Sequence, residues 1–425
     1  MQIFDKVISK HLPSKADQAK IMSKVNAFIE ELEKSMKSNK IKGEVMLGGS
    51  AAKGTFLMKD FDVDVFVRFD YSYKDEDISV MLESLLEEIK GMKFVLVHGS
   101  RDYFQSKYKT INYEIIPVLW VEDPEKALNV TDMSPLHVKW LKKHFSEKLR
   151  REVILAKLFC KAQNVYGAES YIKGFSGHVL DILIVHYGSF SKLLKASQEW
   201  FNIIGEKNNH LIIDVENYKT ADKLNKSKLS PLIVIDPIQP NRNAAAALSK
   251  EKMNLFVKTA KAFLENPHEK YFVKKEYSID ELKAIKIKNC ASWLLLLEVN
   301  ALVGKQDIVG AKLLKSYKHI LKHLNINDFT IKDSGWKWDK MKKAEFWYVI
   351  EEDKLSQTLE RMGPPLSAKD AAESFKSKHK KAYDREDRLY AIVDRPYRTP
   401  DKLIKDLLKD DYVKDKIKSG KLKVY

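Results

Sequence analysis

Two short motifs constrain this chain more than anything else in it. They are Gly48-Gly49-Ser50-Ala51-Ala52-Lys53-Gly54-Thr55 and, twelve residues after Ser50, Asp62-Val63-Asp64. Residues 44–48 and 62–69 both read as β-strands, so the Gly-Gly-Ser turn is held between two strands. Glycine lets a backbone approach a phosphate closely, and Ser50 adds a hydroxyl and an amide donor. Lys53 supplies positive charge one turn later, with residues 51–57 expected as a short helix whose N-terminus faces the phosphates. The GxxxxGK[ST] spacing of a P-loop is absent.

Side chains two apart on a strand share a face, so Asp62 and Asp64 project together with Cα atoms about 6–7 Å apart. Val63, Val65 and Val67 then pack on the other face. Two ionised carboxylates side by side repel unless a cation sits between them. A third acid, Glu114, stands alone in the apolar run Thr110-Ile-Asn-Tyr-Glu-Ile-Ile-Pro-Val. A carboxylate in such a run needs a partner, and a metal is a good one. Mg²⁺ favours carboxylate and phosphate oxygens. Two such ions, about 3.5–4 Å apart, can activate a hydroxyl and stabilise a leaving diphosphate. An Asp-X-Asp alone is often no more than a solvated strand edge. Preceded by this turn and followed by Glu114, it points to chemistry on a nucleoside triphosphate.

With 425 residues the chain has room for two or three domains. A helix over 15–38, strands over 44–48 and 62–69, a helix over 76–90 and strands over 93–98 and 109–121 describe a small mixed unit, residues 1–145. The pattern turns helical from 147 to 203, followed by a strand over 232–235 and a helix over 244–264, giving a mainly helical region, 146–265. Residues 266–281 are polar and read as a boundary. Beyond it, strands (292–299, 326–332, 346–351) alternate with helices (308–323, 369–379, 400–409) in a Lys-rich region, 266–425. The expected class is α+β. The net charge of +16 suggests a polyanionic partner, nucleic acid first. Cys160 and Cys290 stand far apart and form no CxxC pair, so neither a disulfide framework nor a zinc site follows and a reducing cytoplasm is expected. No signal-peptide-like or membrane-spanning apolar run is present.

Further blocks narrow the reading. Ser134-Pro-Leu-His137, Val165-Tyr-Gly-Ala-Glu169, Gly174-Phe-Ser-Gly177, Tyr187-Gly-Ser-Phe190, Asp236-Pro-Ile-Gln-Pro-Asn-Arg-Asn243 and Gly363-Pro-Pro365 occur in order along most of the chain. With the turn and the acids, the chain resembles the archaeal, class I CCA-adding enzymes. These are tRNA nucleotidyltransferases of the DNA polymerase β-like superfamily. The resemblance implies a polymerase β-like nucleotidyltransferase head, a helical central domain contributing to the nucleotide pocket, and C-terminal α/β domains that bind tRNA. It places Asp62, Asp64 and Glu114 on the three metal carboxylates, with two Mg²⁺ ions expected. It places Gly49, Ser50, Lys53, His137, Lys157 and Tyr166 around the triphosphate and sugar, and Arg242 against the base. The substrates implied are tRNA, CTP and ATP. Three positions depart from the family pattern: Glu114 where Asp is usual, Met133 where Arg is common, and His178 where Tyr is usual.

Two other readings stay open at this level: an RNA tailing enzyme on the same head, and an RNA-binding protein that no longer turns nucleotide over. The three intact carboxylates speak against the second. The oligomeric state is also open, a homodimer through the C-terminal half included.

Overall fold

In the computed structural model, which describes residues 2–57, 62–200 and 210–425, the acid pair lies at the start of the second strand of a five-stranded mixed sheet. Its strands are β1 (Gly43–Leu47), β2 (Val63–Phe69), β3 (Phe94–Val97), β4 (Tyr103–Tyr108) and β5 (Ile111–Leu119), in the order β1-β2-β5-β4-β3. β2 and β5 run parallel, and the other neighbours are antiparallel. Helices α1 (Gln2–His11), α2 (Lys15–Ser38), α3 (Gly49–Lys53) and α4 (Ile78–Glu87) are threaded among them. Val63, Val65 and Val67 are fully buried and share one core with Val25, Phe28 and Leu32 of α2 and Leu82, Leu85 and Leu86 of α4. Burying side chains of this size stabilises by about 1.5–3 kcal/mol each. Their alternation with Asp64 leaves the acid on the opposite face. Ser14 caps α2 by accepting the Asp17 N–H, and Asp77 caps α4 in the same way.

The expected strand over 109–121 forms as β5, Ile111–Leu119, but a strand that was not expected precedes it. Tyr103–Tyr108 forms a separate strand that turns at Lys109 and Thr110, whose φ values are +46° and +73°. A two-residue turn with both φ positive matches the twist of a hairpin. Without Gly or Asn at these positions, the sequence carries no sign of it.

The helical region comprises α5 (Ser134–His144), α6 (Glu147–Ala162), α7 (Gly177–Tyr187), α8 (Phe190–Ala196) and α9 (Lys250–Glu265), with a parallel pair β6 (Leu211–Ile213) and β7 (Leu232–Val234). Phe159, Phe190, Phe256, Phe263 and Phe272 meet in its core, mostly edge to face. The end of the helical pattern at 201–203 lies outside the described residues. The helix expected from 244 begins at Lys250 instead. Asn243 Oδ1 accepts the N–H groups of Val234 and Ala245, which ties the preceding loop to β7. Ser249 then caps the helix.

Together these elements form one unit, Met1–Lys275, and Glu276–Tyr425 forms a second. The second unit holds an antiparallel sheet of β8 (Trp293–Asn300), β9 (Ile331–Trp338), β10 (Lys343–Ile350) and β14 (Ser419–Val424), ordered β14-β8-β10-β9. Helices α10 (Ile279–Lys288), α11 (Gln306–Ile326) and α13 (Pro400–Leu407) pack on it through Leu282, Leu313, Ile320, Leu403 and Ile404. A separate three-stranded sheet joins β11 (Thr358–Pro365), β12 (Ala382–Arg385) and β13 (Arg388–Asp394), with α12 (Lys369–Lys378) beside β11. This second sheet, α10 and β14 were not expected. The strand expected over 326–332 starts only at Ile331, because α11 runs on to Ile326. Among the described residues no helix is long and apolar enough to cross a membrane.

One buried acid ties β5 to the loop that leads into α5. Asp132 is 1% exposed. It takes a forked pair from Arg101 and accepts the N–H groups of Leu119, Leu128 and Asn129 at 2.9, 3.2 and 2.9 Å. Breaking a buried ion pair on one side costs about 3–5 kcal/mol. Asp132→Ala is therefore expected to lower unfolding free energy by about that amount in urea titrations. A loss below about 1 kcal/mol would show that the pair does not hold this junction.

Candidate active site

The turn after β1 runs in contact with β2. The Gly48 N–H donates to the Asp64 carbonyl at 2.8 Å. Gly49 has φ +52°, and a Cβ there would lie 1.5 Å from Asp64 Oδ2. Glycine is thus required twice, for its left-handed backbone and for the space the carboxylate occupies. Helix α3 is a single short turn, Gly49–Lys53, and not the expected 51–57. Gly54 ends it with φ +67°, and the N–H groups of Gly54 and Thr55 return to the carbonyls of Ala51 and Ser50.

Parallel pairing of β2 with β5 sets Asp64 opposite Glu114. On the far side β4 sets Gln105 opposite Glu114, and Gln105 Nε2 donates to Glu114 Oε1 at 2.8 Å. Asp62 lies one residue before β2 and is exposed. Burial first, then the Glu114 charge, pushes the Asp64 carboxyl up to about 7, and the Asp62 charge adds to this. Burial likewise raises Glu114, with the Asp62 charge contributing. Tyr103 is raised by burial and by the charges of Glu114 and Asp62. Three acids acting on one another beside a glycine that leaves Asp64 Oδ2 uncovered make a donor set of carboxylate oxygens. That set fits a hard divalent cation.

Two lysines face the same region. Lys53 Nζ pairs with Asp181 Oδ2 at 2.7 Å, and Asp181, on α7, is fully buried. Lys157 Nζ donates to Thr55 Oγ1 at 2.8 Å. Burial pulls the Lys157 ammonium down to about 8, against the opposing pull of Asp181. Tyr166 belongs to the same corner: a Cβ on Gly177 would lie 3.0 Å from its hydroxyl and 3.9 Å from Lys157 Nζ. Asp181 was not expected. Its signal in the sequence is the one that marks Glu114, a lone acid in an apolar run, Val179-Leu-Asp-Ile-Leu-Ile184.

His137 and Arg242 meet at a second buried acid. Asp236 Oδ1 faces His137 Nε2 at 2.8 Å, and Asp236 Oδ2 accepts Arg242 Nη1 at 2.7 Å. His178 Nε2 lies 3.4 Å from Oδ2, and its ring packs on His137 at 4.3 Å between centroids. Burial would raise Asp236, but the contacts with His137 and His178 prevail and hold it well below the usual carboxylate range. Burial drops the His178 imidazole to about 4, so it is neutral at pH 7. His137, His178 and Asp236 bring ligand-type atoms within 4.8 Å of one another. The carboxylate is already engaged by Arg242 and by the backbone N–H groups of Ile238 and Gln239. This group is a hydrogen-bond network that already balances its charge, whereas burial and mutual repulsion hold Asp64 and Glu114 above the usual carboxylate range. Met133 is buried in the turn before α5.

The chain matches the models of a nucleotidyltransferase domain over 29–118, of a tRNA nucleotidyltransferase second domain over 151–273, and of a CCA-adding enzyme C-terminal domain over 301–420. The CCA-adding enzyme of Nanoarchaeum equitans is 34% identical over 395 residues, 91% of this chain and 92% of the relative. That of Methanocaldococcus jannaschii is 33% identical over 414 residues, 96% and 90% of the two chains.

The chain belongs to the archaeal CCA-adding enzyme family. It is a tRNA nucleotidyltransferase, an enzyme that adds CCA to tRNA. In fold, Met1–Lys275 is of the nucleotidyltransferase type. A solved structure of the Cid1 poly(U) polymerase bound to MgATP superposes with TM-score 0.51 at 11% identity, covering 64% of this chain and 98% of that one. Divalent metal ions serve nucleotidyltransferases generally.

Two outcomes are expected for this CCA-adding enzyme. Gly49→Ala should abolish transfer while leaving the circular-dichroism spectrum intact, since the clash falls on a carboxylate and not on the core. Lys157 carries its charge below pH about 8 and loses it above, so the KM for the nucleoside triphosphate should be flat below that pH and climb beyond it. Lys157→Arg, which stays charged, should remove the climb in a pH series of initial rates.

Proposed function

We propose that this enzyme adds C, C and A to the 3′ end of tRNA from CTP and ATP without a nucleic-acid template, with Asp62, Asp64 and Glu114 holding Mg²⁺. The observation that carries the reading is the register pairing of Asp64 with Glu114 directly under Gly49, beside Lys53 and Lys157. Two Mg²⁺ ions held there would activate the tRNA 3′-hydroxyl and neutralise charge on the departing diphosphate. In the reaction a bond forms between the 3′-oxygen and the α-phosphorus, and the bond from that phosphorus to the bridging oxygen breaks.

The remaining work is positioning, which supplies much of the catalysis in phosphoryl transfer. The amides of Gly49 and Ser50 and the Ser50 hydroxyl receive triphosphate oxygens. Lys53 and Lys157 supply charge to them, with His137 and Tyr166 at the edge of the same pocket. Arg242 reads the base. Its guanidinium only donates. Cytosine N3 and adenine N1 accept, whereas uracil N3 and guanine N1 carry hydrogens. An arginine at that edge therefore favours C and A over U and G.

Residues 1–145 act as catalytic head, 146–265 complete the nucleotide pocket, and 266–425 hold tRNA. Lys376, Lys378, Lys380 and Lys381 are exposed at and after the end of α12, where they can meet phosphates. A-form RNA is held largely by such phosphate and 2′-hydroxyl contacts. The enzyme works in the cytoplasm, and a homodimer through the second unit is compatible with this division.

Incubation of the enzyme with tRNA lacking CCA and labelled CTP and ATP tests the reading. Incorporation should stop after three nucleotides; long tails or no incorporation would refute it. Asp64→Ala should cut transfer by about a hundredfold or more while tRNA affinity stays unchanged, and a fully active variant would sink the metal-site assignment.

A further inference from the structure

Asp236 follows β7, at the head of the loop Asp236-Pro-Ile-Gln-Pro-Asn-Arg242. The loop is closed by its own backbone: the Asp236 N–H donates to the Arg242 carbonyl at 3.0 Å, and the Arg242 N–H donates to the Gln239 carbonyl at 2.9 Å. Asp236 Oδ1 accepts the N–H groups of Ile238 and Gln239 at 2.9 and 3.1 Å, besides facing His137. That oxygen by itself caps the turn, and an asparagine would cap it equally well. The second oxygen is unnecessary for the loop. It holds Arg242, whose side chain is 40% exposed while the Asp236 side chain is 0% exposed.

An arginine needed only for the fold would not be expected to point 40% of its side chain outward from a buried acid. One needed to present its fork to a ligand gains from the anchor. Nη1 is fixed on Asp236, and the planarity of the guanidinium then sets where its remaining donors point. His137, on α5, reaches the same carboxylate through its other oxygen.

We propose that Asp236 is a specificity-setting positioning residue. Through Arg242 on one oxygen and His137 on the other, a single buried carboxylate sets the spacing between the base-reading and triphosphate-binding ends of the nucleotide pocket. The inference rests on the nucleotide roles given above to Arg242 and His137. It adds that these two residues act as a unit whose geometry Asp236 decides.

Asp236→Asn in the full chain is the direct test. The amide oxygen keeps the Ile238 and Gln239 bonds and the His137 contact. The amide nitrogen turns donors toward Arg242 and His178; it breaks the Arg242 link, while the neutral His178 Nε2 can still accept from it. Steady-state rates with CTP, ATP, UTP and GTP on tRNA lacking CCA should show the ratio of UTP to CTP incorporation rising about tenfold or more. KM for CTP should rise more than kcat falls, with the circular-dichroism spectrum unchanged. Arg242→Ala should raise the same ratio, and adding Asp236→Asn to it should change little further, as expected for residues that act together.

Should Asp236→Asn fold poorly, Arg242→Lys decides. Asp236 would hold the compact ammonium, whose remaining N–H groups lack the planar fork that meets the base edge, so discrimination should fall with the fold intact. A wild-type ratio in either folded variant, or effects of Asp236→Asn and Arg242→Ala that multiply, overturns the proposal. Wild-type enzyme that adds neither C nor A would overturn the functional reading itself, while normal CCA addition with unaltered selectivity in the variants overturns only this inference.

Discussion

The site depends on the closeness of one backbone to one carboxylate. Gly49 passes so near Asp64 that no side chain fits between them. That contact sets three things at once. It brings the amides of the turn to the acids, so that a phosphate and a cation held there are neighbours. It fixes Asp64 against the wall of the site, opposite Glu114 in the parallel pairing of β2 and β5. It also makes the acid cluster costly on its own, because burial and mutual repulsion oppose ionisation of Asp64 and Glu114. A cation relieves that cost.

The basic residues of the pocket are arranged in the opposite way. Lys53 and Arg242 each rest on a buried acid, Asp181 and Asp236, and His137 shares the second of these. The two anchoring acids lie in α7 and after β7, whereas Lys53 and His137 come from α3 and α5. A buried charge without a partner is expensive, and a paired one can still be aimed. A triphosphate bound there as proposed would meet cations already oriented by carboxylates behind them. Lys157, deep in the protein and donating to the neutral Thr55 hydroxyl, is a cation whose charge burial weakens.

Much of the head could be read from periodicity. The helix over 15–38 and the strand over 62–69 stand almost where expected, because α2 and β2 each pack one continuous apolar stripe. Reading failed where local chemistry departs from the usual signals. The Lys109-Thr110 turn carries positive φ without glycine, so β4 went unseen, and with it Gln105 beside Glu114. Ala244–Leu248 has the composition of a helix, but Asn243 binds that stretch to β7. In the second unit the short strands around Glu360, Tyr383 and Tyr390 owe their pairing to contacts across the sheet and give little alternation to follow.

The sequence by itself determined the chemistry on offer: a glycine turn, an acid pair at strand spacing with a third acid in a later strand, and the ordered blocks of a nucleotidyltransferase family. Those features are local, or depend only on the period of a strand, and so they survive reading one residue at a time. Only the tertiary structure decided which charges stand alone and which are answered. Asp181 and Asp236 meet Lys53 and His137 across 128 and 99 positions of sequence. Whether a buried charge is compensated depends on what packs against it, and packing joins residues with no spacing in common.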